Sequence, residues 1–365
     1  MKYSDKNMRK ILSQDIQIPQ EVESRIQDAY KQLPKRKFRR QRTLRPAAAA
    51  LALLCIALPV VTYASVKTEF FQAMFGNDAK PSNQAIHKEI DNGKGGKTAV
   101  TIPSKEYVPV NDEEAETAIG EWVSNESIER KIGSHILSIK NFVYDKNGAL
   151  MYFTLEKEGG VTALRGDPET NLRKGASFTD EADFYFICET KKGVVGFDNI
   201  YVNTVKGSSD KMYCSAYILW EHTLEDGDVP YLTLDTYPCP RSELTESTEI
   251  ATEKIKLTDK EPVPTHVIDL GDQGYLEYSP ISLVVDMAKG FGLSEEQAQD
   301  PYCLKHLEIL YKDKSNYVIC DKNNNIENSG YILGRESHYA TMYNRLVDVN
   351  AIEKIIVNGV EFPVK

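Results

Sequence analysis

Residues that carry chemistry are sparse and scattered in this sequence. The six histidines, His87, His135, His222, His266, His306 and His338, form no zinc-ligand signature, so no metal is expected. There is no CxxC pair, and Cys55 falls inside an apolar run. The remaining Cys188, Cys214, Cys239, Cys303 and Cys320 are odd in number and widely spaced. That pattern excludes a disulfide framework and allows at most one pairing, Cys188 with Cys214. No GxSxG, HExxH or glycine-rich cofactor loop is present, which argues against an enzyme and leaves no cofactor implied. "DNGKGGKT" at 91–98 imitates a phosphate loop, but Asp91 stands where the first glycine is required. "DKNNNIENSG" at 321–330 lacks the glycine and terminal glutamate of a calcium loop and reads as a surface turn.

Charge is absent from one stretch. Pro46 to Val66 is 21 residues without a charged side chain. At ~1.5 Å per residue it spans about 31 Å as a helix, close to the ~30 Å hydrocarbon core of a bilayer. Forty-five residues precede it and the run is long, so a retained anchor is expected in place of a cleaved signal. The small residues of "TYAS" leave a cut after Ala64 as the alternative.

Charge sign gives the orientation. Residues 1–45 hold 13 Lys/Arg and 5 Asp/Glu, a net of +8, whereas residues 67–365 hold 31 and 49, a net of −18. Lys35, Arg36, Lys37, Arg39, Arg40, Arg42 and Arg45 abut the apolar run. The positive-inside rule puts them at the cytoplasmic membrane surface, against the lipid bilayer, and the C-terminus outside. No fold motif accompanies the basic run, so direct nucleic-acid binding is not expected.

The tail carries an amphipathic helix. In "IPQEVESRIQDAYKQLP", Pro19 suits the first turn, and Val22, Ile26, Tyr30 and Leu33 share one face. Ile11, Leu12, Ile16 and Ile18 add a second apolar set. Forty-five residues cannot bury these in a core of their own. The helix is balanced or acidic at Glu21, Glu23 and Asp28, which fits a partner protein better than a lipid surface.

Beyond the run, Phe70, Phe71, Met74 and Phe75 predict a short helix. It suits either an aromatic foot at the bilayer interface or a plug packed under the next domain. Residues 77–104 read as a spacer. Asn111 and Glu114 form a capping box for a helix with Ala115, Ile119 and Trp122 on its apolar face. Strand-length apolar segments with turn residues between them follow to the end, including hairpin signals at Asn147-Gly148, Lys312–Ser315 and Asn358-Gly359. The expected fold is mainly β: a short helical cytoplasmic tail, a single transmembrane helix and an extracellular region of two β-sandwich, Ig-like domains. The boundaries are 1–45 tail, 46–66 span, 67–104 juxtamembrane segment and spacer, 105–260 first β domain and 261–365 second. The prolines of "DKEPVPT" at 259–265 mark the junction.

"IPQEVESRIQDAYKQL", the basic cluster, the single span, "EFFQAMFG" and the closing "YNRLVDVNAIEKIIVNGVEFPV" together resemble the domain-of-unknown-function 4179 family. The resemblance covers nearly the whole chain and is least clear over about 160–250. These are membrane proteins of Gram-positive bacteria similar to anti-sigma factors. The resemblance implies a tail that holds an extracytoplasmic-function sigma factor and an ectodomain that senses envelope conditions through an unknown extracellular ligand. The tail lacks the His and Cys of zinc-binding anti-sigma domains, so that subtype is not implied. The alternative is a surface-anchored or secreted β-sandwich binding or adhesion protein. Cleavage around 63–80 is the expected release route, because one straight helix offers no second packing state.

A cysteine introduced into the tail of the intact chain should be shielded from a membrane-impermeant maleimide in whole cells and react after permeabilisation. Labelling before permeabilisation would reverse the orientation.

Overall fold

A computed structural model describes residues 67–75, 84–91, 97–160 and 182–364. Short omissions fall at 107, 109, 125–126, 204–205, 209, 272–273, 287–293, 295, 298–302 and 336–337. The expected tail helix, basic cluster and apolar run at 1–66 lie outside the described residues. No helix among the described residues is long and apolar enough to cross a membrane.

The described chain is mainly antiparallel β, as expected. It opens with helix α1, 67–74. A two-stranded hairpin follows, β1 (Ile86–Asp91) with β2 (Lys97–Ile102). This corrects the reading of 77–104 as a plain spacer: β-branched residues on both sides of a glycine-rich connection suffice for a hairpin. Helix α2 (Asp112–Ile119) starts at the predicted Asn111 cap, with Asn111 Oδ1 accepting from the Glu113 amide at 2.9 Å; of the expected capping box, this is the half the structure shows.

The first β unit holds β3 (Ile128–Ile132), β4 (His135–Tyr144), β5 (Gly148–Lys157), β6 (Phe184–Thr190), β7 (Val195–Val202), β8 (Lys211–Trp220), β9 (Pro230–Thr236) and β10 (Ala251–Lys256). They form one sheet in the order β10-β9-β6-β7-β8-β5-β4-β3. The β6–β7 pairing extends only over Cys188↔Gly196 and Glu189↔Val195. The sheet therefore folds over there, and β6, β9 and β10 face the other five strands across a core, as in a sandwich. At the opposite side the edges meet: Thr236 Oγ1 donates to the Ile132 carbonyl at 3.0 Å, and Arg130 lies 3.6 Å from Glu253. Phe142, Phe153, Phe184 and Trp220 fill the interior. Cys188 and Cys214 lie in the same core as free thiols, so the pairing allowed from the sequence is not made.

The second β unit is two five-stranded sheets. One runs β11 (His266–Asp269), β12 (Tyr275–Tyr278), β13 (Ser282–Asp286), β18 (His338–Tyr343), β17 (Ser329–Arg335). The other runs β16 (Ile326–Glu327), β15 (Asn316–Asp321), β14 (His306–Tyr311), β19 (Ile352–Val357), β20 (Val360–Pro363). Leu283, Val285 and Tyr343 face Ile309, Ile319 and Ile355 in a second core. The Asn358-Gly359 turn has both residues at positive φ, 49° and 85°, as a tight hairpin requires. Asp321 closes the 321–325 turn by accepting from the Asn323 and Asn324 amides, so "DKNNN" is the surface turn the sequence suggests.

The Asn147-Gly148 hairpin forms with a different turn, since neither residue has positive φ. Asp145 closes it instead. Its Oδ1 accepts from the Asn147 and Gly148 amides, both at 2.8 Å. Its Oδ2 accepts from Ser279 Oγ at 2.6 Å and Ser282 Oγ at 2.5 Å, both from the second β unit. Burial pushes the Asp145 carboxyl up, with these four bonds pulling the other way. Asp145→Ala strands four donors in a dry seam and should cost about 3–5 kcal/mol. Urea unfolding of the variant checks this; a loss below about 1 kcal/mol would mean that water replaces the carboxylate.

Candidate functional site

Strands β5 and β8 are buried on both faces. Alternate residues Ala149, Met151 and Phe153 enter the first core, while Leu150 and Tyr152 point the other way. On β8 the outward residues are Tyr217 and Leu219. A sheet face this apolar must be covered. What covers it is α1, α2 and the outer face of the second β unit, where Ile281, Val284, Ala340 and Met342 complete a third core.

Helix α1 lies in the middle of this third core. Phe70, Phe71, Met74 and Phe75 are each at most 1% exposed. Of the two roles the sequence left open for this aromatic turn, the structure shows the plug. Each such side chain removed from water stabilises the arrangement by ~1.5–3 kcal/mol. Phe70 and Phe71, adjacent in sequence, pack against each other with ring centroids 5.6 Å apart and ring planes tilted by 55°.

Polar latches fix the helix in register. Lys67 Nζ donates to Glu116 Oε1 at 2.6 Å and to the Gly120 carbonyl at 2.8 Å, both at α2. Gln72 Nε2 donates to Asp112 Oδ1 at 3.0 Å. Tyr152 OH donates to Glu69 Oε1 at 2.9 Å, and Ser215 Oγ to the Ala73 carbonyl at 3.3 Å. Tyr217 OH donates to the carbonyl of Met74. The Tyr217 ring meets Tyr201 edge to face at 5.5 Å. A Cβ on Gly330 of β17 would run into the Tyr217 ring. Glycine at 330 is thus required for the second unit to close over Tyr217.

A second seam flanks the helix. Ser104 bridges Ile326 in parallel, with its amide 2.7 Å from the Asn325 carbonyl. Lys105 is buried and donates to the Ser329 carbonyl at 2.5 Å and to Tyr201 OH at 3.1 Å. Asn199 Nδ2 and Tyr201 OH both reach the Gly330 carbonyl at 3.0 Å. Beside them, burial pushes the Asp198 carboxyl up to about 6. The segment leading into the first β unit is therefore stitched to the edge of the second.

Ser134, His135 and Asp183 stand in the order of a nucleophilic triad, with His135 3.4 Å from Ser134 Oγ and 3.1 Å from Asp183 Oδ1. His135 is fully buried against Phe184, and Lys157 also bonds Asp183. Burial alone would raise the Asp183 carboxyl, but the bonds from His135 and Lys157 prevail and hold it below the usual range. This is a tie between β4 and the start of β6. Among the described residues no group of His, Cys, Asp and Glu could hold a metal ion.

The partner-binding residues expected from sequence, Ile11, Leu12, Ile16, Ile18, Val22, Ile26, Tyr30 and Leu33, lie outside the described residues, as do Lys35, Arg36, Lys37, Arg39, Arg40, Arg42 and Arg45. The sequence reading missed Tyr217, Gly330, Lys105 and the Asp145–Ser279–Ser282 contact. Their signal was the mostly apolar runs of "GALMYFTL" and "KMYCSAYILW", which exceed what a strand with one covered face needs.

Neither a protein-family model nor a curated protein matches the chain. Among solved structures, the chain is similar to a conserved domain protein from Bacillus anthracis, at 11% identity and a TM-score of 0.36. That likeness covers 65% of this chain and 77% of the other.

Phe71→Asp should expel α1 from the third core. In limited proteolysis of the full chain, peptide bonds within 67–75 are expected to resist cleavage in the wild type and to be cut in the variant. Equal resistance would mean that the aromatic turn is not what holds the helix.

Proposed function

We propose that the protein is a non-enzymatic, single-pass regulator of the cell membrane, with its N-terminus in the cytoplasm and its two sandwich-like β units outside. In this reading residues 46–66 cross the bilayer, and the tail holds an extracytoplasmic-function sigma factor away from RNA polymerase. The observation that carries it is the burial of α1. The described residues of the helix start at Lys67, next in sequence to the 21-residue uncharged run. A module that merely displays a binding surface needs only a loose tether there. Here the first turns after the run are latched to α2 and the first β unit and share an apolar core with the second, so the ectodomain's state is coupled to the chain at the membrane.

Release by cleavage around 63–80 acquires a condition under this reading. A protease needs an extended, accessible segment, and helical residues in a dry core are neither. The β units must part from α1 before residues 67–75 become a substrate. Signal reception and cleavage are then successive steps, and the third core is the gate between them.

The tail is tested directly. Val22, Ile26, Tyr30 and Leu33 form the gripping stripe, each side chain worth ~1.5–3 kcal/mol when fully buried. Ile26→Asp with Tyr30→Asp should weaken sigma-factor binding about a hundredfold or more. The double variant should switch on the partner's regulon constitutively in cells. Repression as in the wild type, with undiminished sigma-factor pull-down, would remove the stripe from the contact.

A further inference from the structure

Beside α2 the two β units leave a groove of about 1060 Å³, walled by α2 on one side and by segment 345–350 on the other. We propose that this groove binds a cationic amphipathic peptide arriving from outside the cell, an inference that rests on the outward placement given above.

The lining has two parts. Val108, Trp122, Leu346 and Val349 supply an apolar floor, and Val108 is left 40% exposed. The groove lies open beside this floor. Its volume stands at the upper limit of ordinary small-molecule pockets, about 300–1,000 Å³, and suits several side chains of one peptide face.

The rim is acidic. Glu113 and Glu114 stand on the first turn of α2, and Asp348 faces them from the opposite wall. None of the three makes an ion pair among the described residues. Arg345 is the one Lys or Arg among the lining residues. It is already engaged, 3.2 Å from Glu106 and 4.2 Å above the Tyr317 ring. The amino end of α2 carries about half a positive charge, against Asp112, Glu113 and Glu114 in its first turn. The balance favours a cation. The net charge of −18 over residues 67–365 draws a cationic partner to the surface before it docks. Apolar floor and unpaired acidic rim together match a peptide with one apolar and one Lys/Arg-rich face.

The groove shares its wall with the clamp. The helix that presents Glu113 and Glu114 outward holds Lys67 through Glu116 and Gln72 through Asp112. A peptide that draws α2 toward segment 345–350 therefore acts on the latches of α1.

The test uses the full chain in nanodiscs and a short Lys/Leu amphipathic peptide carrying a benzophenone and a fluorophore, with empty nanodiscs as the blank. Cross-links are expected within 108–122 and 345–350. Glu113→Gln with Glu114→Gln, both exposed, should weaken binding about tenfold. A probe with every Lys replaced by Gln should bind comparably weakly to the wild type. Cross-links confined to other segments or to lipid, unchanged affinity of the double variant, or full binding by the neutral probe would each overturn the proposal. These readouts involve no sigma factor, so failure of the Ile26 and Tyr30 test would leave them standing.

Discussion

The fold turns on the removal of one aromatic turn, Phe70 to Phe75, from water. Both β units present an apolar outer face to it, and neither could keep that face exposed in a stable, soluble state. Leu150, Tyr152, Tyr217 and Leu219 come from one unit, Val284, Ala340 and Met342 from the other. The helix between them is thus the common element of a core that neither unit completes alone. Tyr217 concentrates this arrangement in one side chain. Its hydroxyl holds the Met74 carbonyl, and its ring occupies the space that Gly330 leaves open.

Apolar burial sets how strongly the units associate, and the polar contacts set their register. A hydrophobic face tolerates sliding. A carboxylate that accepts from Ser279 and Ser282 while closing its own turn does not, because any shift leaves a charge without donors in a low-dielectric seam. Lys105 acts likewise at the other side, where its ammonium has the Ser329 carbonyl and Tyr201 hydroxyl as partners. The same logic places Lys67 between Glu116 and the end of α2. Three buried charges at three corners leave the third core a single arrangement.

Local structure was largely legible in the sequence. Strand-length apolar segments bounded by turn residues place β6 and β9, Asn111 places the start of α2, and Asn358-Gly359 places the last hairpin. The longer-range relations were not. The runs of β5 and β8 record burial on both faces, but a run of apolar residues does not say what covers it. The strand pair β17–β18 passes unnoticed because Gly330 and Gly334 interrupt its pattern, and Gly330 is there for a contact with a residue 113 positions earlier. Hairpin β1–β2 hides behind glycines that suggest a linker. Asp145 looks like an ordinary turn residue until its two serine partners, more than 130 positions away, are placed beside it.

The third core also fixes an order of events during synthesis. Phe70 and Phe71 leave the ribosome early, whereas Ala340 and Met342 belong to the last thirty residues of the sequence given. Between those moments the aromatic turn has half a binding site, formed by β5, β8 and α2, and one open side. Contacts so distant along the chain close slowly, since the loop entropy is lost before the contact energy is gained. The clamp therefore reports completion: it can shut only on a chain that has been made through to β18, and any product ending earlier keeps α1 open.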